Sequence, residues 1–327
     1  MSTPQSPTTT PPTTTPTSLP ATTNTSGYAF HPLTSLPSLR DNLLQAHKNK
    51  YAATLQGTIL LAGEGVNIRL SGPADVVEDF KAIIESTLSL PPSLVHYKDS
   101  TSTGPSLPRF LVKIKKELIG MGMPSADPSL TPSPAQHISP SDLHSILTSS
   151  SSSSSSVDEG DVILLDTRND YELKMGTFKG SHNFPISTFR DFPSAALSNP
   201  LPKAKKIVMF CTGGIRCEKA AFAMEAAGYP RGSLYQLDGG ILNYFAEVPP
   251  GEAAVTYGGG CFVFDDRVVV DVEGKAVEGV RVCFRCRWPL EREEVELMGG
   301  AEGRIKCGKC GEEDMLNVEG RKRKRNS

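Results

Sequence analysis

Two groups of cysteines carry the chemistry this chain has available. The first sits in Cys211-Thr212-Gly213-Gly214-Ile215-Arg216-Cys217. This run follows the apolar segment Ile207-Val208-Met209-Phe210 and leads into an Ala-rich stretch ending at Gly228. That order predicts a cysteine at the carboxyl end of a strand, in a glycine-rich loop that opens a helix. Such a loop gathers backbone N–H groups and the positive end of a helix dipole. Both favour the thiolate, the nucleophilic form of cysteine. Packing a small residue at a strand end is the competing explanation, and it does not account for the Gly-Gly step or the nearby Arg216.

Loop length limits the reaction. Four residues separate Cys211 from Arg216, whereas phosphatases that surround a tetrahedral phosphate with a cysteine loop use Cys-x5-Arg. Position 217 is a cysteine, so phosphate ester hydrolysis is disfavoured. Thr212, Gly213, Gly214, Ile215 and Arg216 are read instead as an anion-binding cradle, sized for a persulfide or a small electrophile on Cys211. Arg216 would meet an RNA phosphate or the oxyanion of a sulfur donor. Cys217 has two readings: a redox partner that forms a disulfide with Cys211, or a small hydrophobe packed beneath the loop. Asp166 and Arg168, at the end of Val162-Ile163-Leu164-Leu165, are expected to buttress the loop by hydrogen bonds. No two histidines are spaced for metal or triad work, and His182 is read as a loop residue.

The second group is Cys283-Phe284-Arg285-Cys286 and Cys307-Gly308-Lys309-Cys310, two CxxC pairs separated by twenty residues. Each pair forms a chelating knuckle, and two knuckles complete a tetrahedral thiolate site for a structural Zn2+. Four sulfurs close the coordination sphere, so the metal would fold the module and not take part in a reaction. Four reduced thiols in a degenerate ribbon are the alternative. Phe284, Arg285 and Trp288 are candidate RNA contacts, with Trp288 equally a candidate for the module's core.

These groups need elements to hold them. Residues 28–123 read strand, helix, strand, strand, helix, strand, the βαββαβ order of an α+β ferredoxin-like domain. Leu36, Leu39, Leu43 and Leu44 mark the first helix; Val76, Val77, Phe80, Ile83, Ile84 and Leu88 mark the second. Phe110, Val112 and Ile114 mark the last strand. A Pro/Ser-rich linker covers 124–157, with a short helix around Asp142–Leu147. Apolar strands alternating with helices over 158–253 predict an α/β unit with a doubly wound parallel sheet. Its site lies at the strands' carboxyl ends, where Cys211 falls. A small cysteine-rich module occupies 254–318.

Composition excludes several classes. Net charge is −2, so no global field points to nucleic acid or membrane. No apolar stretch nears the ~20 residues a membrane span requires, and no secretory signal pattern opens the chain. Residues 1–27 are almost entirely Ser, Thr and Pro, with no charged side chain before Arg40. That leader and the run Ser149–Ser156 cannot bury enough apolar surface to order themselves. Seven cysteines, four of them in CxxC pairs, suit a reducing compartment better than a disulfide framework. The tail Arg321-Lys322-Arg323-Lys324-Arg325 is either solvated or a nuclear-import or RNA-contacting segment. Cytoplasmic location is expected, with nuclear or organelle targeting left open.

Asp166-Thr167-Arg168-Asn169-Asp170-Tyr171-Glu172, Gly176-Thr177-Phe178-Lys179-Gly180, the Cys211 loop and Leu237-Asp238-Gly239-Gly240 resemble a rhodanese domain. More narrowly, Cys211 to Ala220, Gly239-Gly240-Ile241-Leu242-Asn243-Tyr244-Phe245 and Cys261-Phe262-Val263-Phe264-Asp265-Asp266-Arg267 resemble the rhodanese-containing tRNA uridine hydroxylases. The resemblance spans roughly Tyr28 to Val318. It implies oxygen-dependent conversion of the tRNA wobble uridine to 5-hydroxyuridine, with molecular oxygen as co-substrate, tRNA as partner and Cys211 as active-site cysteine. The chain departs from the family at Glu64-Gly65-Val66-Asn67-Ile68-Arg69, where Glu-Gly-Ile-Asn-Gly-Thr is usual; an RNA contact at that turn would be altered. Two rivals stand beside this reading: a sulfurtransferase working through a Cys211 persulfide, and a non-catalytic RNA- or protein-binding scaffold. No redox cofactor or oligomeric state can be read from the residues.

Overall fold

Strand β1 (Thr22–Phe30) starts inside the stretch expected to be a disordered leader. In the computed structural model, residues 21–91, 93–149, 162–202, 206–298 and 305–311 are described. The leader before Ala21, the serine run after Ser149 and the basic tail lie outside them. Polar residues can form β1 because their side chains bond to each other. Asn24 Nδ2 donates to Ser102 Oγ at 2.8 Å, and the Ser71 and Ser106 hydroxyls donate to Asn24 Oδ1 at 2.7 and 2.6 Å. A buried polar group satisfied in this way costs little.

The front unit continues through α1 (Leu36–Lys50), β2 (Gln56–Ala62), β3 (Gly65–Gly72), α2 (Ala74–Leu88), β4 (Lys98–Ser102) and β5 (Phe110–Ile114). Its sheet runs β4-β1-β3-β2-β5. β1 is antiparallel to β3 and β4, and β2 is antiparallel to β3 but parallel to β5. The ferredoxin-like order is present, with one correction. Its fourth strand is β4, not Phe110–Ile114, which adds a fifth strand on the opposite edge. Lys98-Asp99-Ser100-Thr101-Ser102 has no apolar alternation, so hydrophobic periodicity cannot reveal it. In β3, Val66, Ile68 and Leu70 face the helices and pack with Leu43, Val77, Phe80 and Ile84. Asn67 and Arg69 therefore face the other side.

The second unit comprises β6 (Gln136–Ile138), α3 (Pro140–Ser149), β7 (Val162–Asp166), α4 (Asp170–Leu173), β8 (Gly176–Phe178), β9 (His182–Asn183), α5 (Phe192–Ser198), β10 (Lys206–Phe210), α6 (Ile215–Ala226), β11 (Leu234–Leu237), α7 (Gly240–Glu247) and α8 (Pro250–Thr256). Strands β6-β11-β10-β7-β9 form one parallel sheet. The expected linker thus ends earlier than position 157. β6 pairs with β11, and Leu143 of α3 is buried with Ile241 and Phe245.

Beyond it lie β12 (Tyr257–Gly259), β13 (Cys261–Phe262), β14 (Val269–Val270), β15 (Arg281–Val282), β16 (Pro289–Leu290) and α9 (Arg292–Leu297). β12 pairs with β8, and Tyr257, Cys261 and Val263 join the core that holds Phe210. These residues belong to the second unit, not to the cysteine module. That module has its own core of Cys283, Leu290, Val295, Ile305, Cys307 and Cys310. Trp288 stays outside that core at 37% exposure, with Lys174 Nζ 5.8 Å from its ring centre. Among the described residues no helix is long and apolar enough to cross a membrane.

Candidate active site between the two sheets

β10 ends at Phe210 and α6 begins at Ile215, so Cys211 stands where the sequence places it. The loop turns tightly against the start of α7. Ile241 N–H donates to Cys211 O at 2.9 Å and Leu242 N–H to Thr212 O at 3.1 Å. Gly240 has φ 68°, and a Cβ there would lie 2.4 Å from Cys211 O; no other residue type fits without moving the loop. Gly214 N–H points at Cys211 Sγ at 3.1 Å.

The thiol is fully buried, which by itself would raise its pKa. Opposing groups win: a hydrogen bond from the Cys217 thiol, the Arg216 charge and the N–H groups of Arg216 and Gly213 bring it down to about 5. Cys217 moves the other way, held up by burial and by the neighbouring Cys211. It lies beneath the loop, with Thr167 Oγ1 3.8 Å from its sulfur. Both cysteines are free thiols, and Cys217 acts on Cys211 as a hydrogen-bond donor.

Arg216 is not a free anion-binding cation. Its Nη1 and Nη2 donate to Glu172 Oε1 and Oε2 at 2.5 and 2.7 Å, in a pair buried on both sides. Thr212 Oγ1 reaches the same carboxylate at 3.4 Å. Glu172 comes from α4, where it also closes a capping box with Asn169. The loop's charged support is therefore Glu172, a residue sequence spacing did not single out. Asp166 and Arg168 do pair, at 2.7 Å, but they hold β8 through Thr177 and the Gly176 carbonyl instead of the loop. Thr167 between them meets the loop strand, bonding Phe210 O through N–H and hydroxyl.

Above Cys211 a cavity of about 820 Å³ opens between the two units. Its floor includes Cys211, Thr212, Gly213, Ile215 and Arg216; its roof is the helix-free face of the front sheet, with Tyr28, Asn67, Arg69 and Lys98. Tyr28 donates to Glu218 Oε1 at 3.3 Å, and its hydroxyl would lie 3.0 Å from a Cβ at Gly214, so the roof touches the cysteine loop. Burial lowers the Lys98 pKa, against the pull of Asp238 and Cys211. Arg69 Nη1 donates to Phe264 O at 3.1 Å, and its guanidinium lies 4.9 Å from the Phe264 ring centre. The departure at Ile68-Arg69 is thus not in a turn. Ile68 is core, and Arg69 lines the cavity. Lys98 was hidden by the polarity of β4, and no local signal marks it.

The four sulfurs of Cys283, Cys286, Cys307 and Cys310 lie within 4.8 Å of one another and could hold a metal ion. An all-thiolate donor set at this spacing suits zinc.

Residues 22–118 match a family model described as the UPF0176 acylphosphatase like domain, and residues 152–247 match the Rhodanese-like domain. The chain is 36% identical over 288 residues to a protein of Agrobacterium fabrum (strain C58) named tRNA uridine(34) hydroxylase, covering 88% of this chain and 84% of that one. A protein of the same name from Cupriavidus taiwanensis is 39% identical over 273 residues, covering 83% of this chain and 90% of its own. Another from Legionella pneumophila (strain Lens) is 39% identical over 247 residues, covering 75% and 89%. Both domain matches and the extent of the similarity agree, and the chain belongs to the tRNA uridine(34) hydroxylase family.

Proposed function

We propose that this chain hydroxylates C5 of the wobble uridine in tRNA, using Cys211 as a nucleophile on the base. The carrying observation is the Cys211 thiolate at the floor of a cavity of about 820 Å³ roofed by a polar sheet face. That volume suits a nucleotide flipped out of its stack. A sulfurtransferase serving a small donor would need no such roof. The thiolate adds to C6 of uracil, forming an S–C6 bond and an enolate across C5 and O4. C5 then takes one oxygen atom from molecular oxygen; the other leaves as water with two electrons from an external reductant. Loss of the C5 proton expels the Cys211 thiolate and leaves 5-hydroxyuridine. Arg216, held by Glu172, keeps positive charge beside the sulfur throughout.

Cys283, Cys286, Cys307 and Cys310 hold a structural Zn2+ that folds the end module. The reaction belongs in a reducing compartment, in keeping with the cytoplasm. The test is mass spectrometry of wobble nucleosides in a bacterial strain lacking this modification. Expression of the wild-type chain restores 5-hydroxyuridine, and Cys211→Ser does not. No product from the wild type, together with thiosulfate:cyanide transfer by the purified protein, would replace this reading with sulfur transfer.

A further inference from the structure

We propose that Asn67 is the residue that selects uracil, by pairing its carboxamide with the Watson–Crick edge of the base above Cys211. This rests on the reading of the cavity as an RNA-base site. Asn67 is 9% exposed, and its side chain makes no hydrogen bond to another described residue. It faces the cavity and lies directly opposite Tyr28 in the β1–β3 ladder. Cross-strand partners share a sheet face, and Tyr28 abuts the Cys211 loop at Gly214. The Asn67 carboxamide reaches the cavity and stays open to a partner there.

The surrounding charges define that ligand. Arg69, two residues along the same strand, and Lys98 on β4 line the same cavity, and both are donors only. The carboxylates in the lining are engaged: Asp99 by Lys81, Asp265 by Arg267 and Glu273 by Lys275. The roof therefore offers many donors and, in Asn67 Oδ1, an amide acceptor among them. Uracil presents the complement, one N3–H donor between the carbonyls O2 and O4. Cytosine replaces O4 with an amino donor, which Arg69 and Lys98 cannot accept. In this arrangement Asn67 Nδ2–H donates to O4 and Oδ1 accepts from N3–H.

Equilibrium binding of two anticodon stem-loop RNAs, with uridine or cytidine at the wobble position, tests the assignment at fixed salt. The wild type favours the uridine hairpin. Asn67→Asp turns the donor into a second acceptor and shifts the uridine-to-cytidine affinity ratio toward cytidine by about tenfold or more. Asn67→Leu weakens the uridine hairpin and removes the preference, while phosphate contacts keep general RNA binding. Alkylation of Cys211 by iodoacetamide, unchanged in both variants, shows that the site has folded. An unaltered ratio in both variants overturns the role of Asn67 alone. Failure of the wild type to bind either hairpin overturns the RNA-base reading and this inference with it.

Discussion

Burial removes hydration from a thiolate and so works against the nucleophile this site requires. At Cys211 the Cys217 thiol, the Arg216 charge and the loop N–H groups outweigh that cost and hold its pKa at about 5. Alkylation of Cys211 by iodoacetamide, followed by mass spectrometry, is therefore expected to be flat at neutral pH. Below pH 5 it should fall about tenfold per unit as the sulfur takes up its proton. Cys217→Ala removes one donor, so the midpoint should move upward. An unmoved midpoint would remove Cys217 from the groups that hold the thiolate. The reactive cysteine was readable because everything that defines it is contiguous: strand, Gly-Gly turn, helix start. The pairing of Arg216 was not readable, for the opposite reason. Its partner Glu172 lies on a different helix, and no spacing rule connects them.

At the level of elements, α4 and α6 are joined through the buried Arg216–Glu172 pair. Glu172→Gln keeps the shape but leaves the guanidinium charge uncompensated in the interior. Removing one member of a buried pair costs ~3–5 kcal/mol, and chemical denaturation should show a loss of that size. Cys211 alkylation should also slow, because the loop loses its anchor at Thr212 and Arg216. A loss below about 1 kcal/mol would mean that water reaches the pair. β3, whose two faces differ in polarity, and β10, apolar on both, were legible from their apolar residues. β1 and β4 were not. Their stability comes from hydroxyl and amide groups satisfied across strands, through Asn24, Ser71, Ser102 and Ser106, and hydropathy carries no trace of that.

At the level of the whole molecule, polar contacts between the front unit and the second unit hold the front sheet over the cysteine loop. Lys219 of α6 is buried and donates to Glu64 Oε2 at 3.0 Å and Glu117 Oε2 at 2.8 Å. Arg267 Nη1 donates to Ser100 Oγ at 2.8 Å, and Asp266 N–H to Ser106 O at 2.8 Å. The cysteine module attaches elsewhere, through Lys174 at the end of α4, which donates to Glu294 Oε2 at 2.6 Å and to Pro289 O at 3.1 Å. Metal removal should therefore act in two parts. Chelation releases one zinc per module and unfolds it, giving a separate low-temperature transition in calorimetry. Cys211 reactivity should persist, because the cavity's roof and floor do not depend on the module. A single cooperative loss of both would show that the module supports the site.

By itself the sequence determined the cysteine loop, the parallel α/β unit that presents it, the two metal-type CxxC pairs and the family. Each is written in neighbouring residues or in a periodic apolar pattern. Only the tertiary structure decided what stands over Cys211. Asn67, Arg69, Tyr28 and Lys98 reach the same cavity because three strands far apart in the chain share one sheet face. That face stays polar because the second unit, not water or a helix, covers it. Such an arrangement depends on register and docking, which have no local signature in the order of the residues.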